Sequence, residues 1–315
     1  MNTICSEQNS EHQLERLAAQ RSLYSAAKTS FAVHALLSTV VASTLAFAAL
    51  LNPAVKPYAL LWGITLTALD IGWLTSSQKK QREQAALIQE CFDCELLGLP
   101  WQAIKVGKAV DHELIVEQAA LYRCREPNFK SLRDWYPTDV CGMPPFLARV
   151  VCQRINAWWD AKQRRRYAML LAGMVVALLV VLITTGVARS MKLTDLLVTT
   201  LVPLSPGIWL AMKQYRENTD AAARLEKLKD HANEFWNRAL KGASESDLAA
   251  DSRALQDELF DNRKRNVPVF DWLYWRLRDD HECQMRATAA QLVRQLEMAR
   301  ASDHSADLSP GRVIA

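Results

Sequence analysis

Basic and aromatic residues alternate in one stretch near the C-terminus of this 315-residue chain. The stretch begins at Arg263, Lys264 and Arg265, and Phe270 and Trp272 are the first of its aromatic residues. Guanidinium and ammonium groups bind phosphates by charge, and aromatic rings stack on bases, so the pattern predicts contact with a nucleotide or another anionic ligand. A helix that packs its rings inside the protein and solvates its basic side has the same pattern, and that alternative stays open.

Two ionisable residues lie within otherwise apolar segments. Asp70 occurs in the segment 58–74, and His34 occurs early in the segment that begins at residue 29. A carboxylate within hydrocarbon is costly and marks an ion pathway or a paired partner, so Asp70 and His34 are candidates for a pore or gating role. The alternative is that Asp70 lies near the membrane boundary, where water can reach it.

The sequence lacks common enzymatic signatures. It contains no G-x-x-x-x-G-K-[ST], no G-x-G-x-x-G, no H-E-x-x-H and no G-x-S-x-G. Cys91 and Cys94 form one C-x-x-C pair on a predicted helix, and the closest histidine in sequence, His112, follows a predicted helix end. A pair of buried thiols is therefore favoured over a zinc or redox site. We expect no catalytic residues, no metal site and no cofactor.

Long uncharged segments determine where these residues can lie. Residues 29–55 and 167–188 contain no Asp, Glu, Lys or Arg over 27 and 22 positions, and about 20 apolar residues suffice to cross a bilayer. A further apolar segment follows each of them after a short polar turn, and the last one contains Pro203 and Pro206. The sequence thus predicts four transmembrane helices arranged as two hairpins, at 29–51, 58–74, 167–187 and 196–212.

The flanking charges predict the orientation. Basic residues cluster at 28, 79–82, 162–166 and 213–216, whereas the two short turns hold only Lys56, Arg189 and Lys192. Because basic residues near span ends stay in the cytoplasm, both termini and the region between the hairpins are expected there, with reduced thiols. The predicted divisions are a cytoplasmic N-terminal helix (1–28), a first hairpin (29–74), a helical insert (75–166), a second hairpin (167–212), a C-terminal helical region (213–300) and a disordered tail (301–315).

The cytoplasmic regions have helical periodicity and no strand alternation, so the predicted fold class is an all-α membrane protein. A helix at 146–166 should lead directly into the third span. Apolar residues from Ala221 to Ala239 recur every three or four positions, as in a coiled coil that ends at Gly242. Ser244 and Asp247 are spaced as in a capping box and predict the start of another helix.

Several short motifs resemble those of one family. They are Asn2-Thr3-Ile4, Gln8-Asn9 and the run from Ala18 to Tyr24; Leu99-Pro100-Trp101 and Asp134-Trp135-Tyr136-Pro137; and Leu255-Gln256-Asp257 through Arg263 to Arg276. Together with two hairpins around a cytoplasmic insert, they are similar to the SMODS-associated four-transmembrane effectors, over about residues 1–300. This resemblance implies a non-enzymatic, pore-forming effector of bacterial anti-phage defence, located in the inner membrane. Such effectors are encoded beside nucleotidyltransferases that make cyclic oligonucleotides.

The resemblance implies a mechanism as well. A cyclic oligonucleotide from a partner synthase is expected to bind the cytoplasmic helices and to shift the arrangement or assembly of the spans among the membrane lipids. A homo-oligomer is expected because four spans enclose little lumen, and DNA is not an expected partner. The predicted ligand or coupling contacts are Arg263, Lys264, Arg265, Trp135 and Tyr136. A constitutive channel or transporter and a membrane-anchored scaffold are the alternatives.

Overall fold

The computed structural model describes residues 2–69, 75–190, 192–197 and 202–307. Its elements within these ranges are all helical, which confirms the predicted all-α class, and none of these residues forms a strand. The helices are α1 (Ile4–Glu7), α2 (Glu11–Ala35), α3 (Ala42–Leu51), α4 (Lys56–Leu69), α5 (Thr75–Leu96), α6 (Ala103–Val106), α7 (His112–Arg123), α8 (Pro145–Ala188), α9 (Leu193–Leu196), α10 (Val202–Leu240), α11 (Glu245–Arg265) and α12 (Asp271–Asp307).

Two described helical segments are long and apolar enough to cross a membrane, Glu11–Ala49 and Pro145–Ala188. In the first, α2 continues through a π-helical segment, Leu36–Val41, into α3. In the second, Val176, Val180 and Ile183 are more than half exposed. A continuous apolar surface of this kind is typical of a helix that faces lipid.

The α4 helix returns along the π-helical segment. Its Trp62 Nε1 donates a hydrogen bond to the carbonyl of Leu37 at 3.4 Å. The described part of α4 ends at Leu69, so Asp70 lies outside the described residues and its pore or gating role remains a prediction. His34 lies on α2 and is half-buried.

The helix at 146–166 and the third apolar segment form one continuous element. Pro144 and Pro145 begin α8, where a proline at the first helical position loses no intrahelical hydrogen bond, and the helix then runs for 44 residues. In the same way α10 joins the apolar segment from Val202 to the predicted coiled-coil seam in 39 residues, roughly 60 Å. Both helices therefore connect an apolar segment to the packed helices without a break.

The seam of α10 packs as its periodicity predicts. Ala221, Leu225, Leu228 and Ala232 are buried, and α10 lies against α8 and α11. The helix ends before Gly242, whose φ of +91° favours glycine, and Ser244 and Asp247 form both hydrogen bonds of the predicted capping box at the start of α11. α12 extends to Asp307, into the segment where a disordered tail was expected after residue 300.

The N-terminal helices complete the packed part of the protein. α2 packs along α5 and α7, and α11 crosses α5 and α8. The largest core cluster includes Leu17, Phe92 and Tyr136, which have essentially no exposed surface. α11 packs through two smaller clusters, Leu255 and Leu259 in one and Phe260 in the other.

One cysteine pair departs from the expectation of reduced thiols. Cys5 and Cys141 form a disulfide between α1 and the turn at Thr138–Gly142, and their 136-residue separation gave no sequence signal for the pairing. Cys91 and Cys94 are free thiols, and burial raises the pKa of the Cys94 thiol to about 12. In the described part of the chain, no group of three or more His, Cys, Asp or Glu side chains could hold a metal ion.

Candidate ligand-binding cavity

The structure contains a cavity of about 220 Å³. It is bordered by α2, α8, the loop 131–135 and residues 266–270, which form the joint between α11 and α12. Cationic and aromatic side chains dominate its wall. The cations are Arg21, Lys28, Arg133, Arg164, Arg263 and Arg278, and the rings are those of Tyr24, Trp135, Trp159 and Tyr274. Charge and stacking surfaces are thus combined in one enclosed space.

Helical spacing brings these residues together. On α2, Arg21, Tyr24 and Lys28 recur at intervals of three and four and share one face of the helix. On α8, Trp159, Asp160, Gln163 and Arg164 follow the same rule and face α2 across the cavity. Because the apolar segments begin at residues 29 and 167 on these same helices, the cavity lies next to the predicted membrane surface.

Two of the cavity cations next to the predicted membrane surface form ion pairs with carboxylates. Lys28 Nζ lies 2.6 Å from Asp271 Oδ1, and burial lowers the pKa of Lys28 although the Asp271 charge opposes this. Arg164 Nε lies 3.0 Å from Asp160 Oδ1, and its Nη1 donates to the Val267 carbonyl at 2.9 Å. The ion pair of Lys28 and the hydrogen bond of Arg164 fix the joint between α11 and α12 against α2 and α8.

Two more cations are neutralised at the other wall. Arg263 Nη1 lies 2.6 Å from Asp93 Oδ2; burial alone would lower the pKa of this guanidinium, but the Asp93 charge raises it. Arg278 pairs with Glu282 on the next turn and donates to the Ser131 carbonyl at 3.0 Å. Arg263 therefore serves the protein's own packing as well as lining the cavity.

Arg21 and Arg133 differ from the other four cations. Arg21 lies over the Tyr274 ring, 4.0 Å from its centroid, and Arg133 is exposed at the mouth. Neither guanidinium has an ion-pair or hydrogen-bond partner among residues 2–69, 75–190, 192–197 and 202–307. Their positive charge is available to an anion that enters the cavity.

The structure separates the five predicted ligand contacts. Arg263 and Trp135 line the cavity. Tyr136 is completely buried behind it, where its hydroxyl donates to Asp93 Oδ1 at 2.7 Å. Lys264 and Arg265 point elsewhere, since they pair at the surface with Glu83 at 3.9 Å and with Asp261 at 3.1 Å.

Comparison with known proteins identifies the family. The model of the SMODS-associating 4TM effector domain matches residues 2–292, nearly the whole chain. The chain belongs to this family of effectors. A probable CBASS effector molecule from Bacillus cereus strain VD146 is 25% identical over 275 residues, which cover 85% of this chain and 90% of that protein. No solved structure matches the chain significantly. The resemblance found in the sequence is confirmed.

The short motifs that carry the sequence resemblance contact one another. The Gln8 side chain makes two hydrogen bonds with the backbone of Tyr136, donating to its carbonyl and accepting from its N–H. The Asn9 side chain donates to the Asp134 carboxylate and accepts from the Asp134 backbone N–H. Gln256 Nε2 donates to Asp93 Oδ2 at 3.0 Å. The motifs thus fix the back wall of the cavity and the loop that carries Trp135.

Sequence reasoning did not single out Arg21, Lys28, Arg133 and Arg164 as residues that line one cavity. It assigned Lys28 and Arg164 mainly to membrane orientation. A signal for the site was nevertheless present, because Arg21, Tyr24 and Lys28 form one cationic and aromatic helix face. The position of Arg133 depends on the fold of an irregular loop, and helical periodicity gives no information about it.

Proposed function

We propose that this SMODS-associating effector is the membrane-acting component of a CBASS system and that its cavity binds a cyclic oligonucleotide. Binding then opens a pore in, or otherwise disrupts, the bacterial inner membrane. Family membership and the Bacillus relative's designation as a probable CBASS effector support the effector role. The observation that carries the ligand assignment is a pair of guanidiniums with no ion-pair partner in the described part of the chain, Arg21 and Arg133, in a wall with four aromatic rings.

The ligand chemistry follows from this wall. A phosphodiester carries one negative charge and accepts charge-assisted hydrogen bonds from guanidinium groups. Trp135 and Trp159 offer ring faces and edges on which a base can stack. A simple inorganic anion would use the charges and leave the rings without a role, so a nucleotide fits the whole set of side chains better.

The proposed topology has four spans as two hairpins and a cytoplasmic helical domain. The apolar ends of α2–α3, α4, α8 and α10 supply the spans, and the basic residues next to them lie on the cavity side. Close packing between the first and last spans supports this bundle, since a Cβ at Gly207 would lie 3.4 Å from the Cβ of Thr39. Trp272, which is half-exposed beside the Lys28–Asp271 pair, fits the headgroup region.

The joint between α11 and α12 is the proposed coupling element. Arg164, in the cavity wall, holds the Val267 carbonyl of this joint. Three residues further along the chain, the Phe270 ring lies 5.7 Å from Phe31 and 6.1 Å from Tyr167, at the start of the first and third apolar segments. A ligand that binds one conformation of this joint more tightly than another favours the matching arrangement of the spans. The difference in affinity sets how far the equilibrium between the arrangements shifts.

A permeable pore requires more than one copy of the chain, because four helices leave little space between them. We therefore propose that the effector assembles into a homo-oligomer whose spans contact one another through their exposed apolar faces. The Cys5–Cys141 disulfide joins α1 to the Thr138–Gly142 turn, neither of which belongs to the apolar segments. Assembly is the step that ligand binding would favour.

Dye release from liposomes tests the proposal. Purified protein reconstituted in phosphatidylethanolamine–phosphatidylglycerol vesicles should release a trapped dye after addition of cyclic di- or trinucleotides. Arg21→Gln should raise the nucleotide concentration needed for half-maximal release about 10- to 50-fold. Arg286→Gln is the matched control, because Arg286 is exposed on α12 and does not line the cavity. Release without any nucleotide would favour a constitutive channel. If the protein binds a nucleotide but no nucleotide causes dye release, the result would favour a membrane-anchored scaffold.

A further inference from the structure

Two buried amide groups in the cavity wall each have a polar atom with no hydrogen-bond partner in the part of the chain that the structure describes. They are Gln20 Oε1 on α2 and Asn266 Nδ2 at the end of α11, in side chains that are only 3% and 5% exposed. A buried polar group without a partner costs about 1–3 kcal/mol, so native proteins rarely leave one in place. Two of them in one cavity suggest that the missing partner is a ligand.

The local structure determines which atom of Asn266 faces the cavity. Asn266 Oδ1 accepts a hydrogen bond from Arg224 Nη2 at 3.1 Å, and its backbone N–H donates to the Asn262 carbonyl at 2.8 Å. Because the oxygen is engaged with a guanidinium, the free atom must be the NH₂ group. Asn266 therefore presents a donor. The Gln20 amide, on α2, makes no hydrogen bond within the described residues and has its Oε1 buried and unpartnered, so it can offer an acceptor or, when turned over, a donor.

We propose that Gln20 and Asn266 form a subsite that reads the hydrogen-bonding edge of a nucleobase. The inference rests on the proposed function, in which the ligand is a nucleotide, and it assigns base selection to these two side chains. A phosphate has no N–H to donate, so it could satisfy both groups only if Gln20 turned its Nε2 inward. A base edge with a donor beside an acceptor satisfies both groups, while Arg21 and Arg133 bind the phosphates and the rings stack.

Direct binding measurements on the full-length protein in detergent test the subsite. The probes are cyclic di-AMP, cyclic di-GMP, cyclic di-UMP and cyclic tri-AMP, titrated against wild type and two variants. Gln20→Met removes the acceptor at similar volume, and Asn266→Asp removes the donor but keeps the oxygen that binds Arg224. Each change should weaken binding of the preferred probe about three- to tenfold and reduce the preference between bases by a similar factor.

Gln214→Met is the matched control. Gln214 is also buried on an α-helix with an unpartnered Oε1, but it does not line the cavity. Its replacement should leave both affinity and base preference unchanged. If Gln214→Met alters binding as much as Gln20→Met does, the effect comes from general loosening of the helices and the inference is wrong.

An analogue of the preferred probe keeps the test decisive if a variant fails to fold. A cyclic dinucleotide whose bases are unsubstituted purine retains the phosphates and the stacking rings but loses the exocyclic groups. Wild type should bind it at least tenfold more weakly than the preferred probe, and equal affinity would overturn the base-reading subsite alone. If none of the four natural probes binds wild type, the proposed function fails and the subsite fails with it.

Discussion

The α5–α11 interface and the cavity beside α2 both hold charged side chains inside the protein, but they differ in how those charges are satisfied. At the interface, Glu90 and Asp93 are fully buried, and each of their four oxygens accepts at least one hydrogen bond. Arg253 and Arg263 balance their charge at 2.7 and 2.6 Å. In the cavity, Arg21 lacks any carboxylate partner, and Gln20 and Asn266 each retain an unused polar atom.

This difference indicates which polar groups hold the fold together and which await a ligand. A buried ion pair whose geometry is complete contributes to a unique structure, and it becomes strongly destabilising when one partner is removed. Polar groups that remain unsatisfied in the folded protein cost stability until something binds them. Removal of a charge should therefore destabilise the protein strongly at the interface and only slightly in the cavity.

The largest effect is expected from Asp93→Asn. This change leaves Arg263 buried without a counter-charge and should lower the free energy of unfolding by about 3–5 kcal/mol. Denaturant unfolding in detergent measures it. Arg21→Gln, in the cavity, should change the same quantity by less than about 1 kcal/mol, because no ion pair is lost. If both variants lose similar stability, the two regions do not differ as described.

His281 provides the next test, because it is a buried group without a counter-charge in contact. Its side chain is 1% exposed, and its ring centroid lies 5.8 Å from that of Trp158 and 5.2 Å from that of Trp159. Burial and the nearby Lys162 charge lower the pKa of His281 to about 4, although the Asp280 charge opposes this. Between pH 6.5 and pH 4 the unfolded chain takes up a proton that the folded state resists. Stability is therefore complete above pH 6.5 and falls on acidification, by up to about 3 kcal/mol.

The pH dependence can be assigned by replacing the ring. His281→Phe keeps an aromatic ring between the two tryptophans but cannot be protonated, so its stability should decline less between pH 6.5 and pH 4. Thermal unfolding of both proteins across this window gives the comparison. Identical slopes would mean that other groups cause the acid sensitivity.

Ligand affinity should depend on the cations that line the cavity and should not depend on exposed cations elsewhere on the protein. Arg21→Gln removes one charge-assisted hydrogen bond to a phosphate and should weaken binding of a cyclic dinucleotide about 10- to 50-fold, measured by calorimetry in detergent. The dependence of affinity on salt concentration should become shallower at the same time, since one phosphate contact is lost. An equal effect from Arg286→Gln would show that only long-range charge is involved.

Helical periodicity and apolar length predicted much of the fold. The continuity of α8 across the membrane boundary, the α10 seam and the Ser244 capping box all depend on local residue spacing, which a sequence displays directly. The cavity depends on contacts between residues more than 100 positions apart, such as Arg164 with Val267 and Gln8 with Tyr136. Such contacts, like the Cys5–Cys141 disulfide, leave no periodic signal in the sequence.

The three basic residues at the end of α11 also show that sequence alone does not predict which side chains reach the cavity. Successive residues on a helix are rotated by about 100°, so Arg263, Lys264 and Arg265 must point in three directions. Composition makes them equivalent candidates for a phosphate. Only the packing of α11 against α5 decides that Arg263 reaches Asp93 and the cavity while the other two remain at the surface.

The smallest effect is therefore expected from Arg265→Gln. The Arg265 side chain is 73% exposed and pairs only with Asp261 on the preceding turn, an arrangement that contributes about 0.3–0.5 kcal/mol. Its loss should leave nucleotide affinity within twofold of wild type, whereas Arg263→Gln should lower both stability and affinity. Side-by-side unfolding and calorimetry of the two variants measure this. A tenfold loss of affinity from Arg265→Gln would place the ligand on the exposed face of α11, because the cavity lies beyond the reach of that side chain.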